Sequence, residues 1–312
     1  MKPVGILYEH PEWFKPLFAE LERRGVPYQR ILLEDLVFDP AERSTNYSLV
    51  VNRMSPSAWL RGQEQAASQT LHYLAYLDEI GTPVLNGHEA FSVEVSKARQ
   101  LGLLSRLGIA HPRASVITHP SQASVAAQGL QFPVLVKPNL GGSGAGIQSF
   151  EGPAQLAGAA RAGTIELGPD RTALVQEHLP AEGDAIVRIE ILNGEFLYAI
   201  RLQLMPGSFN LCPADYCELP GIADGVSGRG LPIEAFDPPE EAIQDAKRIL
   251  TAAHMDLGGV EYLVSARDGL RYFYDVNALS NFVADAPNIV GFDPFEDLVA
   301  LIIERARARR VA

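Results

Sequence analysis

Strand-length apolar runs alternate with helix-length amphipathic stretches through the first ninety residues, and few architectures accept that order. Val4-Gly5-Ile6-Leu7-Tyr8 reads as a buried strand, and residues 12–24 as an amphipathic helix stopping at Gly25. Residues 27–33 and 47–53 read as strands, residues 58–80 as a long helix ending at Gly81, and residues 83–85 as a short strand. Strands joined through helices pair in parallel, so this stretch predicts a parallel sheet with helices on both faces. Residues 89–107 are helical again, with Gly108 at the C-cap position and Pro112 soon after.

The last third differs in kind. Asn193-Gly194 and Asp268-Gly269 are hairpin signals flanked by alternating apolar and polar residues. Between them lie a loop-rich stretch (residues 206–239) and a helix over residues 240–254, and a terminal helix starts near Pro294. Antiparallel hairpins with helices make an α+β lobe after the α/β beginning. A chain of 312 residues is long enough for two or three such lobes.

A net charge of −12 argues against nucleic acid or an anionic membrane as the main partner. No apolar run approaches the ~20 residues that span a bilayer. Met1-Lys2-Pro3 leads straight into the first strand, so a cytoplasmic protein without a signal peptide is expected. Cys212 and Cys217 have no second pair, which points to free thiols rather than zinc.

The chemistry concentrates on the Asp268-Gly269 hairpin. Val260, Tyr262 and Val264 on the outgoing strand, and Tyr272, Tyr274 and Val276 on the return, are expected to form a core face. Glu261, Asp275 and Asn277 then share the other. A two-residue turn would pair Glu261 with Val276. A three-residue loop, Arg267-Asp268-Gly269 with a left-handed glycine, pairs Glu261 with Asp275, and that loop is expected. Two carboxylates and a carboxamide form a hard oxygen set suited to Mg²⁺, with Mn²⁺ as a substitute. The alternative is a solvent-facing polar row, as antiparallel sheets often carry.

Pro133-Val134-Leu135-Val136-Lys137 delivers a lysine to the loop Gly141-Gly142-Ser143-Gly144-Ala145-Gly146. Backbone N–H groups of such a loop approach phosphate oxygens closely, with the lysine as a point charge. The loop lacks the Gly-Lys-Ser/Thr ending of a Walker A motif, and a plain hairpin turn is the competing reading. Lys97 is a second candidate phosphate cation. Ala173-Leu174-Val175-Gln176-Glu177-His178-Leu179 is an apolar strand turning polar towards Asp184, suited either to a nucleotide base or simply to a sheet edge. On the Asn193-Gly194 hairpin, a two-residue turn places Val187, Ile189, Ile191, Phe196, Tyr198, Ile200 and Leu202 on one face and Arg188, Glu190, Arg201 and Gln203 on the other. Such arginines either stabilise charge during transfer or form surface ion pairs.

In this order the motifs resemble the ATP-grasp superfamily, nearest to its RimK-type and glutathione-synthetase-type ligases, over about residues 89–305. The resemblance implies a pre-ATP-grasp α/β domain at residues 1–88, a central lobe at 89–180 and a C-terminal lobe with the metal site at 181–312. It implies that Lys97 and Lys137 contact ATP phosphates under a loop of Ser143, Gly144, Ala145 and Gly146. Gln176, Glu177, His178 and Leu179 would frame the adenine, with Asp184 or Glu182 at the ribose. Glu261, Asp275 and Asn277 would hold one or two Mg²⁺, with Arg201, Asn210, Arg188 and Lys137 serving catalysis. The family usually has Asp on the outgoing strand and Glu on the return, the reverse of Glu261 and Asp275. Its loop after the metal asparagine usually runs to Pro-Gly, whereas this chain has Ala278-Leu279-Ser280-Asn281-Phe282.

The implied activity is an ADP-forming ligase joining a small carboxylate to an amine, an amino acid or small peptide, through an acyl phosphate. A small-molecule kinase of the same fold, a nucleotide-binding regulator and a metal-dependent hydrolase are the rivals. The apolar pattern of residues 58–80 suits either core or a homodimer interface.

Overall fold

Five consecutive buried residues, Val4–Tyr8, form β1 at the centre of the first sheet. The computed structural model describes residues 2–142, 144–204 and 232–308. After β1 come α1 (Lys15–Arg23), β2 (Tyr28–Leu32), β3 (Leu49–Arg53), α2 (Ala66–Glu79) and β4 (Val84–Leu85). The strands pair in parallel in the order β2-β1-β3-β4. Side chains alternate across β1, so Ile6 packs with α1 while Leu7 packs with Leu74 and Leu77 of α2 on the other face. Each such fully buried Leu or Phe contributes about 1.5–3 kcal/mol.

Two expected helices are each broken, and the breaks have causes. Residues 58–80 divide into a 3₁₀ turn, Ala58–Arg61, and α2, because Gly62 takes a left-handed conformation (φ 81°). Residues 88–106 form α3 (His88–Glu94) and α4 (Lys97–Arg106). Ser96 is extended, and its hydroxyl accepts from the Arg99 N–H, starting a new helix with Lys97 as its first residue.

The second sheet is antiparallel: β5 (Ala114–Ile117), β6 (Val134–Pro138), β7 (Gln148–Phe150) and β8 (Ala173–Glu177), ordered β5-β8-β6-β7, with α5 (Ala123–Ala126) and α6 (Pro153–Ala162) behind it. The third contains β9 (Ala185–Leu192), β10 (Glu195–Gln203), β11 (Ile233–Ala235), β12 (Leu257–Val264) and β13 (Arg271–Asn277), ordered β11-β10-β9-β12-β13. Helix α7 (Glu240–Ala252) packs on it together with α3 and α4, which reach across from residues 88–106. Beyond α8 (Ala286–Ile289), α9 (Pro294–Ala308) returns to the first sheet, where Leu298 and Ile302 share a core with Ile6 and Leu17. Among the described residues no helix is long and apolar enough to cross a membrane.

Both hairpins of the third sheet are bulged, which corrects the expected side-chain faces. The Asn193-Gly194 turn is a two-residue turn, with Leu192 opposite Glu195 and both turn residues at positive φ. Leu197 is then left unpaired, so Tyr198 lies opposite Glu190, Ile200 opposite Arg188 and Arg201 opposite Val187. Tyr198, Ile200 and Leu202 therefore share the face of Arg188, and Arg201 lies on the reverse. At the other hairpin the loop is one residue longer than expected: Ser265 N–H bonds to Leu270 O, enclosing residues 266–269. The extra residue Tyr274 restores the register, so Glu261 does face Asp275. Phe273 and Val276 join the core with Val260 and Tyr262, while Tyr272 and Tyr274 do not.

Candidate active site

A cavity of about 810 Å³ lies between the second and third sheets and reaches Trp13, Ser55 and Ser57 of the first lobe. Its third-sheet wall carries Arg188, Glu261, Asp275 and Asn277. Glu261 on central strand β12 faces Arg188 across one strand boundary and Asp275 across the other. Arg188 donates from Nε to Glu190 (2.6 Å) and from Nη1 to Glu261 (3.0 Å), all three buried. Its guanidinium occupies the space where a Cβ on Gly259 would lie.

Lys97 forms an ion pair with Asp275. Burial and the neighbouring Asp275 hold the Glu261 carboxyl above its usual range despite Arg188. Burial also pushes Asp275 up, but Lys97 and Lys137 outweigh it and leave that carboxyl below its usual range. Two carboxylates face to face repel, and a dication between them relieves the repulsion. Among the described residues no three His, Cys, Asp or Glu side chains converge on one point. The donor set is instead two carboxylates and the Asn277 carboxamide, which suits Mg²⁺ completing its shell with water and phosphate oxygens. Asn277 Nδ2 is buried without a hydrogen-bond partner among the described residues, and an incoming phosphate oxygen would satisfy it.

On the second-sheet wall Lys137 is buried at the end of β6, and burial, then Lys97, lowers its ammonium pKa to about 8. The glycine loop folds back over that strand end. Gly146 (φ 72°) leaves no room for a side chain, since a Cβ would meet Pro138 Cγ at 2.9 Å. Gly142 approaches Ser57 of the first lobe, where an added Cβ would sit 3.3 Å from Ser57 Cβ. On β8, Gln176 Oε1 is buried and has no partner among the described residues, an acceptor suited to the amino group of a base. The Glu177 carboxylate instead accepts from Gln131 N–H and serves the lobe itself.

The structure brings Lys97, Lys137, Gly144, Ala145, Gln176, Glu177, His178, Leu179, Asp184, Arg188, Glu261, Asp275 and Asn277 to one cavity. Glu182 is exposed and does not line it, which leaves Asp184 as the acid at that edge. Arg201 is a correction. It lies on the reverse face of the sheet, stacked 4.0 Å over Phe236 and 3.5 Å from Glu234, because of the bulge at Leu197. Ser143, Asn210, Cys212 and Cys217 lie outside the described residues.

Three polar residues are not apparent from sequence because their partners are remote in the chain. Asn139 ties α4 to β6: its Oδ1 accepts from Ser96 Oγ and Ala98 N–H at 3.0 Å each, and its main-chain O accepts from Lys97 N–H. Glu94 is buried on the cavity wall, accepts from Leu279 N–H at 2.8 Å and is raised to about 7, chiefly by burial. Arg53, fully buried at the end of β3, donates from Nη2 to Ser280 O. The Asn-Arg pair ending a buried strand is the one local signal that points to Arg53.

No protein-family profile matches the chain, and no curated protein is significantly similar to it. Solved structures are. The ATP-grasp ligase PsnB complexed with a minimal precursor superposes with a TM-score of 0.67 at 18% identity, over 98% of this chain and 100% of that one. The D-cycloserine synthetase DcsG gives 0.67 at 18% identity over 97% and 100%. The D-alanine–D-alanine ligase of Bacillus anthracis gives 0.67 at 15% identity over 98% and 97%. Together with two antiparallel sheets closing on a cleft behind a parallel α/β lobe, these matches show that the chain has the ATP-grasp fold.

Proposed function

We propose that this protein is an ATP- and Mg²⁺-dependent ligase that joins a carboxylate to an amine through an acyl phosphate. The observation that carries this reading is the meeting of Glu261 and Asp275 on adjacent strands, with Lys97, Lys137, Arg188 and Asn277 around them in one cavity. Neighbours of the same fold are described as ligases, and some are described with Mg and ADP or with ATP, which supports the reading.

Glu261, Asp275 and Asn277 would hold the cation, which when bound supplies positive charge to the phosphate oxygens. Lys137 neutralises charge on the phosphates from the opposite wall, and Arg188 fixes Glu261 by a charge-assisted bond. Gln176 orients the base. The substrate carboxylate oxygen bonds to the γ-phosphorus as the bond to ADP breaks. The amine nitrogen then bonds to the acyl carbon, phosphate leaves and the amine proton passes to solvent. No protein nucleophile is required, so the rate rests on positioning and electrostatics.

The test is purified protein with ATP, Mg²⁺ and pooled amino acids, following nucleotide and phosphate release alongside mass spectrometry of products. The reading expects ADP, phosphate and an amide. Release of AMP and pyrophosphate, or a stable phosphoester, would contradict it.

A further inference from the structure

The chain leaving β13 is pinned at four of five successive residues. Leu279 N–H donates to Glu94 (2.8 Å), and Ser280 O accepts from Arg53. Phe282 N–H donates to Ser280 Oγ (3.2 Å), and Val283 N–H to Tyr198 OH (3.0 Å). Phe282 is held at φ 58°, a left-handed conformation that a bulky residue adopts only when its surroundings impose it. Its ring is buried and packs edge-on against Phe295, with centroids 5.0 Å apart.

The remaining residue is Asn281. It lines the cavity, and its Oδ1 is buried with no hydrogen-bond partner among the described residues. Main-chain pins on both sides fix the backbone at Asn281, and a buried acceptor lining a cavity is satisfied by a donor on whatever occupies that cavity. Trp13 and Ser55 of the first lobe line the same cavity. Gln176 Oε1, the acceptor assigned to the base, is on β8 of the second sheet instead.

We infer that Asn281 reads an N–H of the amine substrate and determines which amine the cleft accepts. Glu94, Arg53, Ser280 and Tyr198 act as positioning residues that hold the loop. This rests on the ligase reading and adds a substrate contact to it.

The experiment uses the full chain as wild type, Asn281→Leu and Asn281→Asp. Thermal shift and calorimetry follow Mg–ADP first, then each of the twenty common amino acids on the Mg–ADP complex. All three proteins are expected to bind Mg–ADP alike and to share the unliganded melting temperature. Losing one hydrogen bond to a charged donor should weaken the amino acids that bind by roughly 10-fold or more in the leucine variant. The aspartate variant keeps an acceptor and should stay within about threefold of wild type or bind more tightly. Equal amino-acid affinity in all three proteins would overturn the inference. A wild type that binds Mg–ADP but no amino acid of the panel would overturn the amine assignment alone. A wild type that fails to bind Mg–ADP would overturn the ligase reading beneath it.

Discussion

The two long hairpins of the third sheet each carry one extra residue, with opposite consequences for the charges on them. At β12–β13, Tyr274 is the extra residue, and it keeps Asp275 across from Glu261 on the cleft side. At β9–β10, Leu197 is the extra residue, and it sends Arg201 to the outer face while Tyr198 turns inward to accept from Val283 N–H. One bulge brings two carboxylates face to face in the cleft, and the other removes a cation from it while supplying a loop anchor. Which charges enter a cleft thus depends on single-residue register shifts as much as on the strands that bear them.

The same substitution at Arg188 and at Arg201 should have very different effects. Arg188→Met leaves Glu190 and Glu261 buried without their cation and should cost about 3–5 kcal/mol in denaturant unfolding. Arg201→Met removes a partly exposed ion pair and a stacking contact and should cost under about 1 kcal/mol. Similar losses for the two would contradict the assignment of faces.

Much of this architecture is legible in the chain's residues alone. The hairpin turns, the parallel first sheet and the lysine at the end of β6 are local patterns, written in turn residues and periodicity. The meeting of Glu261 with Asp275 is expected for the wrong reason, since a longer loop and a bulge together do what turn chemistry assigns to a shorter loop. Arg201 is misplaced by strict alternation, which cannot reveal an unpaired residue in mid-strand. Glu94, Arg53 and Asn139 stay hidden because their roles are set by contacts with residues far along the chain, invisible to composition or spacing. Lys97, expected at phosphate, lines the cavity, and its pairing with Asp275 is not legible in the sequence.

Glu94 holds the chain as it leaves β13. Its carboxyl lies at about 7 in the fold, against 4.5 when unperturbed. The folded state keeps this proton to higher pH than the unfolded chain, so the group's contribution to stability is greatest below 4.5 and falls as pH rises to about 7. The fall is on the order of 3 kcal/mol. Glu94→Gln should flatten that part of the stability–pH curve, and an unchanged slope would show that another group causes it.

Gly259→Ala should cost about 1–3 kcal/mol, because the new methyl meets the Arg188 guanidinium. A neutral result would mean that Arg188 can move without loss. A smaller effect than at Gly259 is expected at the turns, where Gly194 (φ 78°) and Gly269 (φ 71°) are both left-handed. Alanine at either should cost about 1–2 kcal/mol, since each glycine is left-handed although one turn has two residues and the other four. A much larger loss at Gly269 would show that its loop, rather than the bulge at Tyr274, sets the pairing.

On the proposed reading, Glu261, Asp275 and Asn277 hold a cation that carries a nucleotide. Calorimetric titration of ADP into wild type and Asn277→Ala, each with Mg²⁺ and with a chelator, tests it most directly. The account predicts that wild type binds ADP at least 10-fold more tightly with Mg²⁺ and that the variant, folded and equally stable, loses most of this dependence. Equal Mg²⁺ dependence in both proteins, or none in wild type, would contradict it.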